Sequence, residues 1–172
     1  MSGGQRCAGA PEGNFGSRTL AVEADSPAGT ERIASRLGGA LQPGDLISLI
    51  GPLGAGKTVF VRGLAAGRGL EPSLVRSPTF VLHHVYGSPP RLHHLDLFRL
   101  GPGAGIGFLD LDTLLETAPA AVEWGDLADL GPWRPLCLSL DLAGDERRRI
   151  EAVRLATTPG RLLAAWRSAI AP

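Results

Sequence analysis

Residues Gly51-Pro52-Leu53-Gly54-Ala55-Gly56-Lys57-Thr58 have the residue types and spacing of a loop that holds phosphate. Glycines let the backbone curl until its N–H groups face inward, the lysine reaches the β- and γ-phosphates, and the threonine hydroxyl can ligate Mg²⁺. Of the seventeen Lys and Arg residues in the chain, Lys57 is the only Lys. A compact ammonium on a flexible stem suits a phosphate cradle, where a planar guanidinium would crowd it. A threonine alone leaves Mg²⁺ poorly aimed, so the chemistry calls for carboxylates on the metal side. Asp96 and Glu123 are the candidates, each near the end of an apolar run. Lys57, Asp96 and Glu123 are thus the expected catalytic residues, and Thr58, Asp96 and Glu123 the expected metal ligands. Thr79, after Ser77-Pro78, is a candidate switch residue whose hydroxyl could sense the γ-phosphate. Trp124 is a candidate for stacking on a ligand or for packing.

These groups require a strand before the loop and a helix after it, and both are legible. Leu46 to Ile50 is a short apolar β-type run, and Val59 to Ala66 has apolar residues at helical spacing. Upstream, Arg18 to Ala24 alternates as a strand does, and Ser26-Pro27 reads as the cap and first residue of a helix bearing Ile33, Leu37 and Leu41. Downstream, Phe80 to Tyr86 and Arg91 to Leu97 read as strands of a hairpin around Gly87 to Pro90, and 100–109 as a Gly-rich loop. Asp110 to Ala118 reads as a short helix, and Ala120 to Trp124 as a buried strand with Glu123 at its C-terminal end, where open α/β sheets place ligands. Leu136 to Leu142 and Arg148 to Ala156 form a second hairpin, expected at the sheet's edge, and Thr158-Pro159 reads as the cap and first residue of a last helix carrying Leu162, Leu163 and Trp166. The fold class is therefore α/β: a P-loop NTPase-like three-layer sandwich with a mixed, mainly parallel sheet and an antiparallel edge hairpin. Residues 1–16, rich in Gly, Ser, Ala and Pro, read as a disordered N-terminal tail, and 17–172 as a single P-loop ATPase domain.

Four blocks occur in order: Gly51 to Thr58, Ser77-Pro78-Thr79-Phe80, His94-Leu95-Asp96-Leu97-Phe98-Arg99-Leu100, and Val122-Glu123-Trp124. Together they resemble the TsaE (YjeE) ATPase family, from about Leu20 to the C-terminus. The loop alone is shared by many NTPases, whereas the ordered set is specific. The resemblance implies a Mg²⁺-dependent ATPase needed for N6-threonylcarbamoyladenosine at position 37 of tRNAs that read ANN codons, acting with the TsaB and TsaD proteins. It also implies ATP as the nucleotide, bound by residues 51–58, Thr79, Trp124 and Arg148, with Asp96 and Glu123 as metal-side carboxylates. The chain departs from the family at Phe98, where Tyr is usual, and at 102–106, where an acidic segment is usual and no carboxylate stands.

Bulk properties narrow the reading. The 172 residues carry a formal net charge of zero, with acids and bases interspersed, so no basic footprint points to direct DNA or RNA binding. Contact with tRNA is expected only indirectly, through partners. No apolar run is long enough to span a membrane and no secretory signal pattern opens the chain, so a cytoplasmic location is expected. Cys7 and Cys137 have no metal-ligand spacing. The pairs His83-His84 and His93-His94 cannot chelate from one side, because adjacent strand residues face opposite ways. Guanine readout by Asn-Lys-x-Asp is impossible, since the sole Lys lies in the loop and the sole Asn is Asn14. Adenine is favoured. The alternative is a small-molecule kinase, which needs an acceptor pocket and an Arg-bearing lid, for which Arg147 to Arg149 is the only cluster. A nucleotide-binding module without turnover is the other rival.

Removal of residues 1–16 is expected to leave the thermal midpoint unchanged, because the segment has no apolar pattern able to dock. Scanning calorimetry of the truncated and full-length chains checks this, and a drop of several degrees would show that Phe15 or its neighbours pack on the body.

Overall fold

A helix that starts well and a strand that is apolar on both faces fix the architecture. In α1 (Pro27–Ala40), Ser26 caps the start by accepting from the Gly29 N–H at 3.1 Å, with Pro27 in the first turn. In β2 (Leu46–Ile50), side chains on both faces are buried, which identifies a strand covered on two sides. The computed structural model describes residues 20–103 and 105–172. The expected tail, and residues 18 and 19 of the expected first strand, lie outside the described residues.

The remaining strands are β1 (Ala21–Ala24), β3 (His83–Tyr86), β4 (Leu92–Asp96), β5 (Ala120–Glu123), β6 (Leu136–Leu142) and β7 (Arg148–Val153). They form one seven-stranded sheet in the order β1-β7-β6-β2-β5-β4-β3. The pairings β6-β2, β2-β5 and β5-β4 are parallel, and β1-β7, β7-β6 and β4-β3 are antiparallel. The sheet is mixed as expected, with its parallel pairings confined to four central strands and antiparallel ones on both flanks. Because β2 lies between β5 and β6, the strand order reverses beside it, and the crevice at its C-terminal end is where ligands bind in such sheets.

The helices α2 (Lys57–Gly67) and α4 (Gly160–Ala169) join α1 on one face, over Ile47, Leu49, Ala121, Leu138 and Leu140. On the other face α3 (Leu111–Thr117) and short 3₁₀ turns cover Leu46, Leu95 and Val122. Burying each such aliphatic side chain contributes about 1.5–3 kcal/mol. Phe60 of α2 meets Trp166 of α4 with ring centroids 6.4 Å apart, and the Trp166 indole N–H donates to the Leu20 carbonyl at 2.9 Å, tying the first strand to the last helix. No helix among the described residues is long and apolar enough to cross a membrane.

Four local expectations are corrected. The β6-β7 hairpin is not the sheet's edge: β1 adds to β7 through the register Ala21 to Glu151 and Ala24 to Arg148, which covers an otherwise open row of backbone groups. The strand read from Phe80 starts only at His83. Before it the Pro78 carbonyl accepts from Val81 and Leu82, Leu82 is left-handed (φ 65°), and Phe80 and Val81 face solvent. The strand read to Ala156 stops at Val153, followed by left-handed Arg154 (φ 56°). Pro159, not Thr158, caps α4, because the Thr158 hydroxyl donates to the Pro135 carbonyl at 2.8 Å instead.

The contact of α1 with the second half of α2 runs through glycine. A Cβ on Gly63 would lie 2.4 Å from the Glu31 carbonyl oxygen, and one on Gly38 would lie 2.3 Å from that of Leu64. Backbone cannot yield as a side-chain tip can. Gly63→Ala is therefore expected to destabilise by about 1–3 kcal/mol despite alanine's higher helix propensity, read as a lowered urea midpoint with an unchanged slope.

Candidate functional site

The loop from Gly51 to Gly56 leaves the C-terminal end of β2 and delivers the chain into α2. Gly56, the cap, is left-handed (φ 96°), and no side chain caps this helix, so its first N–H groups remain available to an anion. The glycine is required there, since a side chain at that φ is strained. Gly51 (φ 146°) is required for a second reason: a Cβ would lie 2.3 Å from the Leu140 carbonyl oxygen.

Lys57 is buried and turned back on its own loop. Its ammonium donates to the carbonyls of Gly51 at 2.8 Å and Pro52 at 2.9 Å, and sits 3.6 Å from the centroid of the Trp124 ring. Burial pulls its pKa below the usual lysine value, against the opposing charges of Glu123, Asp96 and Asp126. Trp124 faces Lys57 because the chain turns left-handed immediately after β5 (φ 59°), an arrangement that costs a non-glycine residue about 1–3 kcal/mol. On its other side Trp124 meets Phe98, with ring centroids 5.0 Å apart. Phe98 therefore supplies a ring to the site, and the hydroxyl a tyrosine would carry there is not needed for that contact.

Glu123 and Asp96 end adjacent parallel strands and are partners in the β4-β5 register, with 3% and 1% of their surface exposed. Glu123 Oε1 accepts from the Thr58 hydroxyl at 2.8 Å and lies 2.8 Å from His94 Nε2. Asp96 Oδ2 accepts from the hydroxyls of Ser77 at 2.7 Å and Thr79 at 2.5 Å, while Oδ1 accepts from the Phe98 N–H at 2.9 Å. Thr79 is thus beside Asp96 at the site, on a turn rather than a strand. Arg148, at the start of β7, reaches the loop from the opposite side. Its guanidinium donates to the carbonyls of Ala55 at 3.0 Å and Gly54 at 3.2 Å, and also to those of Gly144, Asp145 and Arg147. Leu53 at the loop's tip is exposed.

The candidate catalytic, nucleotide-binding and metal-side residues expected from the sequence are thus together at this end of the sheet. Sequence reasoning missed the parts played by His94, Ser77 and Phe98. Alternation along β4 held a signal for the first, since His94 and Asp96, two apart, must share a face. The adjacent His93 does face the other way, toward Thr117 (2.8 Å) and His83 (3.1 Å). Among the described residues no three His, Cys, Asp or Glu side chains gather as a metal site.

A family model described as "Threonylcarbamoyl adenosine biosynthesis protein TsaE" matches residues 24–150. The chain belongs to the TsaE family. Relatives bearing the name tRNA threonylcarbamoyladenosine biosynthesis protein TsaE include one from Mycobacterium leprae, 38% identical over 81% of this chain and 90% of the relative. Another, from Streptomyces coelicolor, is 44% identical over 55% of this chain and 66% of the relative. The crystal structure of Bacillus subtilis YdiB superposes with a TM-score of 0.64 at 28% identity, covering 88% of this chain and 94% of that one. The TsaE match spans the loop, both carboxylates and Arg148.

Arg148 holds loop carbonyls from a different strand, so its removal should loosen the loop while sparing the core. Arg148→Ala is expected to speed hydrogen exchange of the Gly54 to Lys57 amides, with global stability falling by no more than about 1 kcal/mol. Exchange read by mass spectrometry alongside a urea melt checks both parts.

Proposed function

We propose that this TsaE-family chain is a Mg²⁺-dependent ATPase that serves N6-threonylcarbamoyladenosine formation at position 37 of ANN-reading tRNAs, in the cytoplasm and in complex with TsaB and TsaD. The observation that carries the reading is the Thr58–Glu123 hydrogen bond of 2.8 Å, which joins the first turn of the loop's helix to a strand-end carboxylate. A fold needs no such bond, whereas a nucleotide site does. The family's name points to the tRNA pathway, and contact with tRNA would run through the partners.

The donor set suits Mg²⁺. Thr58, Asp96 and Glu123 offer hard oxygen atoms, and a site with two carboxylates and no all-protein cage fits an ion that keeps its waters and shares ligands with phosphate. When bound, the ion would neutralise charge on the phosphates. The chain's own residues do the remaining work. Backbone N–H groups of the 51–58 loop, other than at Pro52, would bind phosphate oxygens, and Lys57 would leave the Gly51 and Pro52 carbonyls to meet the terminal phosphates. Glu123, fixed through Oε1, keeps its other oxygen to orient water. Thr79 and Ser77, both on Asp96, would register the γ-phosphate from the 77–80 turn.

Slow turnover by the isolated chain follows from the same geometry. Lys57 and Arg148, the two cations at the loop, are both engaged with loop carbonyls. A missing cation at the transferring phosphoryl group can lower the rate by about 10³–10⁵. Arg148 would contact nucleotide only on releasing Gly54 and Ala55, which is a change that partner binding could drive.

The test is phosphate release with and without TsaB and TsaD. Wild type alone is expected to fall well below the ~1–10³ s⁻¹ of ordinary enzymes and to rise with both partners. Lys57→Ala should lose ATP binding while remaining folded. Glu123→Gln should bind ATP and partners without stimulation. Tight ATP binding by folded Lys57→Ala would remove the phosphate-loop reading, and normal stimulation of Glu123→Gln would remove the role given to that carboxylate.

A further inference from the structure

The side chain of His94 is fully buried, its Nε2 lies 2.8 Å from Glu123 Oε1, and its Nδ1 is the one buried side-chain polar atom without a hydrogen-bond partner among the described residues. Those facts fix where the ring proton sits. An acceptor carboxylate faces Nε2, so Nε2 must carry hydrogen. The ring therefore donates through Nε2 to Glu123 Oε1. Tyr86 of β3 packs on it with ring centroids 6.2 Å apart, and the Tyr86 hydroxyl donates to the Arg76 carbonyl at 3.2 Å. The orientation of the imidazole is thus set by packing and by the segment that leads into Ser77.

We propose that His94 is the positioning residue for Glu123: an imidazole whose Nε2–H locks the carboxylate so that one oxygen is committed and the other is left for the ligand. Thr58 alone holds Glu123 from α2, the element that must also carry the phosphate loop, so any adjustment of α2 on nucleotide binding would carry the carboxylate along. His94 holds it from β4, a strand paired on both sides, and so references Glu123 to the sheet rather than to α2. Groups that orient a working carboxylate in this way typically matter 10–100-fold when removed. The proposal rests on Glu123 being a working carboxylate of an ATPase.

Two measurements test it. Nitrogen-15 NMR of histidine-labelled protein is expected to show His94 carrying hydrogen at Nε2, with Glu123→Gln shifting His94 and leaving His83 and His93 in place. A ring bare at Nε2 would overturn the proposal. In partner-stimulated turnover, His94→Leu is expected to lower kcat 10–100-fold with the KM for ATP within about threefold, and His94→Gln, which keeps an N–H donor, to recover most of it. In a Glu123→Gln background, His94→Leu should add little. Equal losses in His94→Gln and His94→Leu, or losses that multiply with that of Glu123→Gln, would show a merely structural role. If wild type itself shows no turnover, the ATPase reading fails, while the NMR measurement still decides how His94 holds Glu123.

Discussion

Two carboxylates stand in register on neighbouring strands, almost wholly withdrawn from water, and much of the surrounding structure answers to that constraint. Like charges in such a place repel, and each loses hydration worth several kcal/mol unless donors replace it. Glu123 receives Thr58 and His94, and Asp96 receives Ser77, Thr79 and the Phe98 N–H. Lys57, buried nearby, balances part of the charge. These donors come from α2, β4, the turn at Ser77 to Thr79 and the segment after β4, so satisfying the carboxylates draws together several elements at this end of the sheet.

The loop itself is held closed by its own cations. Lys57 binds the carbonyls of Gly51 and Pro52 and Arg148 those of Gly54 and Ala55, so four loop carbonyls are tied to cations while the N–H groups at the start of α2 remain for an anion. This is preorganisation of the kind that makes electrostatic stabilisation effective. The cost is that neither cation is free until something displaces it, and a site so arranged is restrained until a ligand or partner shifts it. Trp124 reinforces the restraint by covering the ammonium with its ring.

Behind the site, glycine decides geometry. Gly38, Gly63 and Gly67 let α1 and α2 approach until backbone meets backbone, which fixes the second half of α2 against α1 more firmly than interleaved side chains would. Trp166 secures the far end of that layer to the first strand. The phosphate loop therefore springs from a buried strand into a helix packed on α1, beside the turn from Pro78 to Leu82 that exposes Phe80 and Val81.

Local pattern determined the phosphate loop, its flanking strand and helix, and the strand-end places of Asp96 and Glu123. Each of these depends on residues within a few positions, through glycine conformations, helical spacing and strand alternation. The same pattern overextended the run from Phe80, because what stops that strand is a turn on Pro78 and the end of pairing with β4. Tertiary structure alone decided that β1 would cover the second hairpin, that Thr58 would meet Glu123 across 65 residues, and that Arg148 would grip the loop from 93 residues away. It also turned His94 from one half of a histidine pair into the group that holds a carboxylate. Sequence periodicity specifies which face a side chain occupies, but the partner it meets there is set by the order and register of strands that are remote in the chain.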